Sequence, residues 1–270
     1  SGKEYKTTEF IKKFLTEHDI KILPFILKTG VIAEIGEGEK IVALRADIDA
    51  LPINEMTDYP YKSQNDGVMH ACGHDFHTAS LLGAAKVLKE REKELKGRVR
   101  LIFQPAEEIN AGAREVIASG ALEEVSAIAG FHNKPDLPLG TIGIKSGPLM
   151  AAVDRFEVKI NGTGTHAAAP QNGNDPIVTA SQIVTSIQSI VSRYVSPADM
   201  AIISVTRISG GNTWNVIPES VEMEGTMRTF KKSVQERIKK LFAQVVKNYT
   251  KAFEQKYEIL WGDSHPFVDN

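Results

Sequence analysis

Apolar positions in the first half of the chain alternate between two periods. Phe10, Ile11, Phe14 and Leu15 fall on one face of a helix over Thr7–Glu17, and a strand-like alternation then begins over 30–35. Continuous apolar runs follow at 40–47 (KIVALRAD), 98–104 (RVRLIFQ) and 125–131 (VSAIAGF), each the length of a strand buried on both faces. Between the first two of these lies a small-residue and apolar stretch, Thr78–Leu88, suited to a helix packed on a sheet. Each run ends in polar, chemically capable residues: Asp47 and Asp49 after the first, Glu107 and Glu108 after the second, His132 after the third. Strand, site residue, helix, strand, site residue is the order of an α/β sheet whose strand ends gather in one crevice.

From about Ala152 the pattern changes to strand 154–160, helix 175–195, strands 200–208 and 220–229, helix 233–253 and strand 257–261. This βαββαβ order predicts a ferredoxin-like sandwich. The expected organisation is therefore a sheet domain over 1–151, a second domain over 152–262, and a linker, 263–270, leading back to the first. Gly162-Thr-Gly164 is read as a turn after a strand, because a lone Gly-x-Gly is a weak phosphate signal.

Of the 270 residues, 42% are hydrophobic and 24% charged, ordinary values for a globular protein. The 32 Lys and Arg against 34 Asp and Glu leave a net charge of -2, so no basic excess points to nucleic acid or an anionic membrane, and a small soluble substrate is expected. No run approaches the roughly 20 apolar residues of a membrane helix, and SGKEYKTTEF has no signal-peptide core, so the reading is a cytoplasmic protein. The one cysteine, Cys72, excludes an intrachain disulfide.

Cys72 and His74 stand in HACGHD, Glu107 and Glu108 in QPAEE, and His132 in GFHN. Singly, each has a bland reading: a satisfied histidine, a solvated acidic pair, an inert buried thiol. Cys-x-His also lacks the paired cysteines of a structural zinc site. Together at one sheet edge, thiolate, imidazole and carboxylate are the donor types of borderline divalent ions. Adjacent glutamates allow one to bind an ion while the other takes a proton from activated water.

RADIDALP, HACGHDFHTA, QPAEE, GFHN, GTGTHAAAP and NVIPESVEMEGTMRTF resemble, in order, the motifs of the aminoacylase and carboxypeptidase-like metallopeptidase family, in its branch of N-acyl-amino-acid amidohydrolases, hippurate hydrolases and plant auxin-conjugate hydrolases. The resemblance implies a catalytic α/β domain with an inserted ferredoxin-like dimerisation domain, and hydrolysis of the amide bond of N-acyl amino acids with two divalent ions per subunit. Manganese or zinc suits the donors best, with cobalt or nickel as alternatives. It further implies that Cys72, His74, Glu108 and His132 are ligands, that Glu107 is the general base, and that Asp49 orients a ligand. By the same resemblance His166 polarises the scissile carbonyl, and Asn215 and Arg228 bind the substrate's carboxylate or the developing oxyanion.

A homodimer is expected through the open edge of the ferredoxin-like sheet. The family pattern continues past the length of this sequence and supplies a last histidine ligand; His265 in DSHPF does not match that motif, and the 270-residue chain by itself is expected to show little or no hydrolase activity. The alternatives are a dipeptidase or aminopeptidase of the same fold and a non-catalytic dimerising module.

Overall fold

A computed structural model describes residues 1–270, apart from the side chain of Asp263. The chain forms two compact units, Ser1–Thr141 and Ile142–Asn270. The sequence reading divides them after residue 151. Residues 142–151 belong with the second unit because Met150 and Pro148 pair with Val268 and Asp269 near the end of the chain.

The first unit runs α1 (Tyr5–Glu17), β1 (Lys21–Ile22), β2 (Val31–Ile35), β3 (Ile41–Asp47), α2 (His74–Glu90), β4 (Arg98–Gln104), α3 (Gly112–Ala118) and β5 (Val125–Gly130). Its five-stranded sheet has the order β1-β2-β4-β3-β5, with β3 parallel to both β4 and β5 and with β2 antiparallel to β4. Ile11 and Leu15 of α1 and Leu81, Leu82 and Ala85 of α2 pack one face of the sheet, against Val31, Ala33, Leu101 and Phe103. Val116 and Ala121, in and after α3, cover the other face over Ile32, Ala43 and Ile102. Burial on both faces explains why β4 reads as a continuous apolar run, whereas β5, the edge strand, is exposed from Ser126 to Gly130 and is not the buried strand that its apolar run predicts. The parallel trio points the C-terminal ends of β3, β4 and β5 the same way, which is what collects the site.

A buried ion pair locks this sheet: Arg100 on β4 donates to Glu34 on β2 from Nη2 (2.8 Å) and Nε (3.1 Å), and its Nη1 donates to the carbonyl of Ala121 at 2.8 Å. Both guanidinium donors reach the same oxygen, Glu34 Oε2, while Oε1 accepts from Arg98 Nη1 at 3.1 Å, and the carbonyl contact satisfies a donor that burial would otherwise strand.

The second unit runs β6 (Pro148–Met150), β7 (Ala152–Asn161), β8 (Thr165–His166), α4 (Pro176–Tyr194), β9 (Ala201–Gly210), β10 (Val216–Ile217), β11 (Ser220–Thr229), α5 (Lys232–Ala252), β12 (Lys256–His265) and β13 (Val268–Asp269). The antiparallel sheet β12-β7-β11-β9 places the four long strands in the spatial order fourth, first, third, second. With α4 and α5 between them in sequence, that is the ferredoxin-like sandwich the pattern predicts. Asp175 caps α4 by accepting from the backbone N–H groups of Ile177 (2.8 Å) and Val178 (3.4 Å), and Pro176 follows in the first turn, where its missing N–H costs nothing. On α5, Val234, Ile238, Phe242 and Val246 recur every four residues and form its buried stripe. Phe242 meets Phe156 (ring centroids 4.7 Å apart) and Trp261 (5.5 Å). The stretch 263–270, read as a linker, carries the end of β12, with His265 opposite Val153, and all of β13. Among the described residues, no helix is long and apolar enough to cross a membrane.

Candidate metal centre

Three strand ends and one helix start deliver the site. β3 ends on Asp47, with Asp49 two residues beyond; each is 1% exposed. β4 ends at Gln104, and the chain then turns sharply through Ala106, whose φ is +49°. The turn closes with Ala111 and Gly112 both donating to the carbonyl of Ala106 (3.2 and 3.1 Å). Gly112 is required there, since a Cβ would lie 1.6 Å from the Pro105 carbonyl oxygen. Glu107 and Glu108 ride on this turn, and the Glu108 N–H donates to Asp49 Oδ2 at 3.1 Å. β5 ends at Gly130, two residues before His132.

The helix expected over Thr78–Leu88 begins four residues earlier, at His74. Gly73 holds the preceding position with φ +85°, in the left-handed region that favours glycine. Weak apolar periodicity over His74–His77 hides this start from sequence, because both histidines are buried for bonding rather than for hydrophobic reasons. Thr78 Oγ1 fixes the first turn on the sheet by donating to the carbonyls of His74 (2.8 Å) and Asp47 (3.2 Å).

The side chains converge. Cys72 Sγ lies 3.3 Å from His132 Nε2. His74 Nδ1 contacts Asp49 Oδ1 at 3.1 Å, which leaves Nε2 facing Asp47 Oδ2 at 3.6 Å and Glu108 Oε1 at 3.8 Å. Donor atoms of Cys72, His74 and His132, and separately those of His74, Glu107 and Glu108, lie within 4.8 Å of one another. His74 Nε2 and Glu108 Oε1 are buried with no hydrogen-bond partner among the described residues. Unpartnered buried polar atoms are costly and rare, and two aimed at each other beside a thiol mark a place shaped for a cation.

Electrostatics agree. Burial, then the hydrogen bond and charge of Glu108, push the Cys72 thiol up to about 12, where it is inert. Burial and the charges of Glu108 and Asp47 raise Glu107 above the usual carboxylate range. Burial works against charge on Asp49 too, but hydrogen bonds from His74, Ser1 and the Glu108 backbone outweigh it and hold the carboxyl below its usual range. His74 is raised: burial opposes its charged form, but the Asp49 bond and the Asp47 charge prevail. Three acidic groups, Glu108, Glu107 and Asp47, act on the thiol here, and a divalent ion inverts that balance by stabilising thiolate and carboxylates together. The donor set thus fits a divalent metal: sulfur, imidazole and carboxylate, with a carboxylate behind one imidazole as metal-binding histidines commonly have.

The first unit therefore gathers Cys72, His74, Glu107, Glu108, His132 and Asp49. The other three expected residues lie in the second unit. There β8 and β10 pair His166 with Val216; Ala167 N–H donates to the Asn215 carbonyl at 2.9 Å, and Asn215 Oδ1 accepts from Thr213 Oγ1 at 3.2 Å. His166 Nδ1 accepts from the Ala168 N–H at 3.1 Å. Arg228, at the end of β11, donates to Thr226 Oγ1 at 2.7 Å. His265 belongs to none of the potential metal-holding groups among the described residues. Sequence reasoning missed His77, which contacts Asp47 Oδ1 at 2.6 Å; its spacing of three from His74 is the signal, usable once the helix start is known.

The chain is 56% identical over 272 residues to the N-acetyl-L-cysteine deacetylase of Bacillus subtilis (strain 168), covering all of this chain and 65% of that protein. It is 42% identical over 261 residues to the N-acyl-L-amino acid amidohydrolase of Geobacillus stearothermophilus, covering 96% of this chain and 70% of that one. Among solved structures, the Bacillus subtilis YxeP protein, described as a dinuclear metal binding peptidase, superposes with a TM-score of 0.86 at 49% identity, over 99% of this chain and 70% of that one. A putative aminohydrolase from methicillin-resistant Staphylococcus aureus superposes with a TM-score of 0.96 at 33% identity, over 100% of this chain and 73% of the other. The chain thus spans 56% to 72% of the length of the curated relatives that it matches most strongly. The profile of peptidase family M20/M25/M40 matches residues 43–260, and the chain belongs to that family.

Proposed function

We propose that the protein hydrolyses the amide bond of N-acyl amino acids, using two divalent ions held by Cys72, His74, Glu108 and His132. The observation that carries this reading is the pair of unpartnered buried atoms, His74 Nε2 and Glu108 Oε1, beside the Cys72–His132 contact. Relatives named as N-acyl-amino-acid hydrolases support the substrate class. When bound, the ions supply Lewis acidity to the scissile carbonyl and to the attacking water.

The chain's own residues do the rest. Glu107, raised by burial and by its acidic neighbours, accepts the proton of the attacking water and returns it to the departing amine nitrogen. Asp49 fixes the His74 ring through Nδ1 and so aims Nε2 at the ions. His166 polarises the carbonyl oxygen, while Arg228 and Asn215 hold the substrate carboxylate, the arginine by a charge-assisted fork. Manganese or zinc fits the mixed donor set, with cobalt or nickel as substitutes. The open β9 edge of the ferredoxin-like sheet, with Ile202 and Ile208 exposed, supports a homodimer, which sedimentation at micromolar concentration tests. A lone cysteine with no possible disulfide supports a cytoplasmic location.

The test is hydrolysis of a panel of acetyl-, succinyl-, benzoyl- and indole-acetyl-amino acids, with free dipeptides as comparison, alongside metal content, in wild type and Glu107→Ala. Turnover of acylated substrates that falls about 10²- to 10⁴-fold in the variant supports the reading. A protein that takes up no ion overturns it, whereas inertness of the 270-residue chain by itself is expected and does not; preference for free dipeptides moves the substrate class to a peptidase of the same fold.

A further inference from the structure

Resting on the reading of Cys72, His74 and His132 as ligands, we propose that His77 and Asn133 are positioning residues that tie the Cys72–His74 loop to the His132 loop and so set the spacing of the ligands. His132 is exposed, and its ring nitrogen Nδ1 reaches only the carbonyl of its neighbour Asn133 (2.9 Å). Something else must hold this loop while Nε2 stays 3.3 Å from the Cys72 sulfur.

The tie is continuous. Arg45 on β3 donates from Nε to Gln104 Oε1 (3.0 Å) and from Nη1 to Asp47 Oδ2 (2.7 Å). Asp47 Oδ1 takes the Nδ1 side of His77 at 2.6 Å. On the other side of that ring, Nε2 lies 3.0 Å from the Asn133 backbone nitrogen and 2.7 Å from its carboxamide oxygen: without a proton it accepts from the N–H, and with one it donates to the oxygen. His77 is 1% exposed, and its ring packs edge-on against His132 with centroids 4.7 Å apart. The Asn133 carboxamide also occupies the space a side chain at position 73 would need: a Cβ on Gly73 would stand 2.5 to 2.7 Å from its atoms. The glycine between Cys72 and His74 is therefore both the left-handed residue before α2 and the socket for Asn133.

Asp47, His74 and His77 lie close enough together to be taken for a third ligand group. Bonding argues otherwise. Both ring nitrogens of His77 are engaged by protein, whereas His74 keeps Nε2 without a partner. His77 thus has no lone pair to give an ion unless the tie breaks, and its role is to transmit position.

Zinc and cobalt titrations of the protein and of Asn133→Ala, His77→Ala and His77→Gln separate the possibilities, with ion number, affinity against a competing chelator, and the thiolate-to-cobalt absorption as readouts. The tie predicts that Asn133→Ala and His77→Ala weaken binding about 10- to 100-fold, the range for residues behind metal ligands, and dim the thiolate absorption. His77→Gln recovers both to within a few-fold, because a carboxamide presents a donor to Asp47 and an acceptor to the Asn133 N–H. Asn133 lies on a partly exposed loop, so its variant tests the tie even where His77→Ala fails to fold. Asn133→Ala keeps the backbone N–H and tests the carboxamide, so wild-type affinity and absorption in it remove the Asn133 side chain from the tie, and the same result in His77→Ala overturns the tie as a whole. So does a His77→Gln variant as weak as His77→Ala beside an unaffected Asn133→Ala, which makes His77 a ligand. A wild-type protein that takes up no ion defeats the ligand reading itself, and the tie with it.

Discussion

Replacing Asp49 by asparagine changes one buried atom's chemistry and almost no volume. In the wild type one carboxylate oxygen faces His74 Nδ1 at 3.1 Å, and the other accepts the Glu108 N–H at 3.1 Å. Asparagine keeps a single acceptor. With the oxygen turned to His74, its NH₂ meets the part-buried Glu108 N–H donor to donor and leaves that N–H unsatisfied. A buried unsatisfied donor costs about 1–3 kcal/mol, and the Glu107–Glu108 turn is the nearest element able to move and relieve it. With the oxygen turned to Glu108 instead, the His74 ring loses its anchor. Either way a ligand drifts, and metal affinity is expected to fall about 10- to 100-fold, or about 1.4–2.8 kcal/mol. Calorimetric titration with zinc or manganese, beside a thermal melt without metal, measures it. Affinity within twofold of wild type, in a variant that folds normally, would refute the claim that Asp49 positions the ligands.

The second unit offers independent checks, and both tryptophans, Trp214 and Trp261, lie there, so their fluorescence reports its unfolding. Phe242→Ala, at a position 1% exposed between Phe156 and Trp261, should cost about 3–5 kcal/mol in denaturant unfolding followed by that fluorescence. Asp154 is buried, which disfavours its charge, yet hydrogen bonds from Gln235, Lys239 and Ser264 outweigh burial and lower its pKa. A carboxyl lowered on folding stabilises above the unfolded value, near 3.9, and that stability is lost as pH falls through the folded value. Asp154→Asn should therefore lower the melting temperature at pH 7, with the gap to wild type narrowing below about pH 4. A gap constant with pH would show that the carboxylate charge contributes nothing.

Much of this was legible before any coordinates. The strands 98–104 and 220–229 are bounded as the pattern places them: the first is covered on both faces and reads as an uninterrupted apolar run, the second is buried at alternate positions and reads with period two. Glu107, Glu108 and His132 follow strand ends, and the strands are parallel where that rule requires, whereas Cys72 and His74 lie just before and at the start of α2 and are marked by the HACGHD string instead. What escaped was polar and local. α3 is seven residues long and starts at a glycine needed for a tight turn, so propensity argues against it. The two-residue pairings β8–β10 and β6–β13 are too short for any periodicity to register. His77 has a signal, its spacing from His74, only once the helix start is known, and Asn133 has none, because its seat against Gly73 is set by the closeness of two loops in space.

The most direct test of the central claim is the metal content of the protein after loading with zinc or manganese and exhaustive dialysis, compared with His74→Ala and Glu108→Ala. The site described here predicts up to two ions retained per wild-type chain and a loss of retained metal in each variant. Wild-type protein that emerges metal-free, or variants that retain as much metal as it does, would contradict the assignment of these side chains to a metal centre.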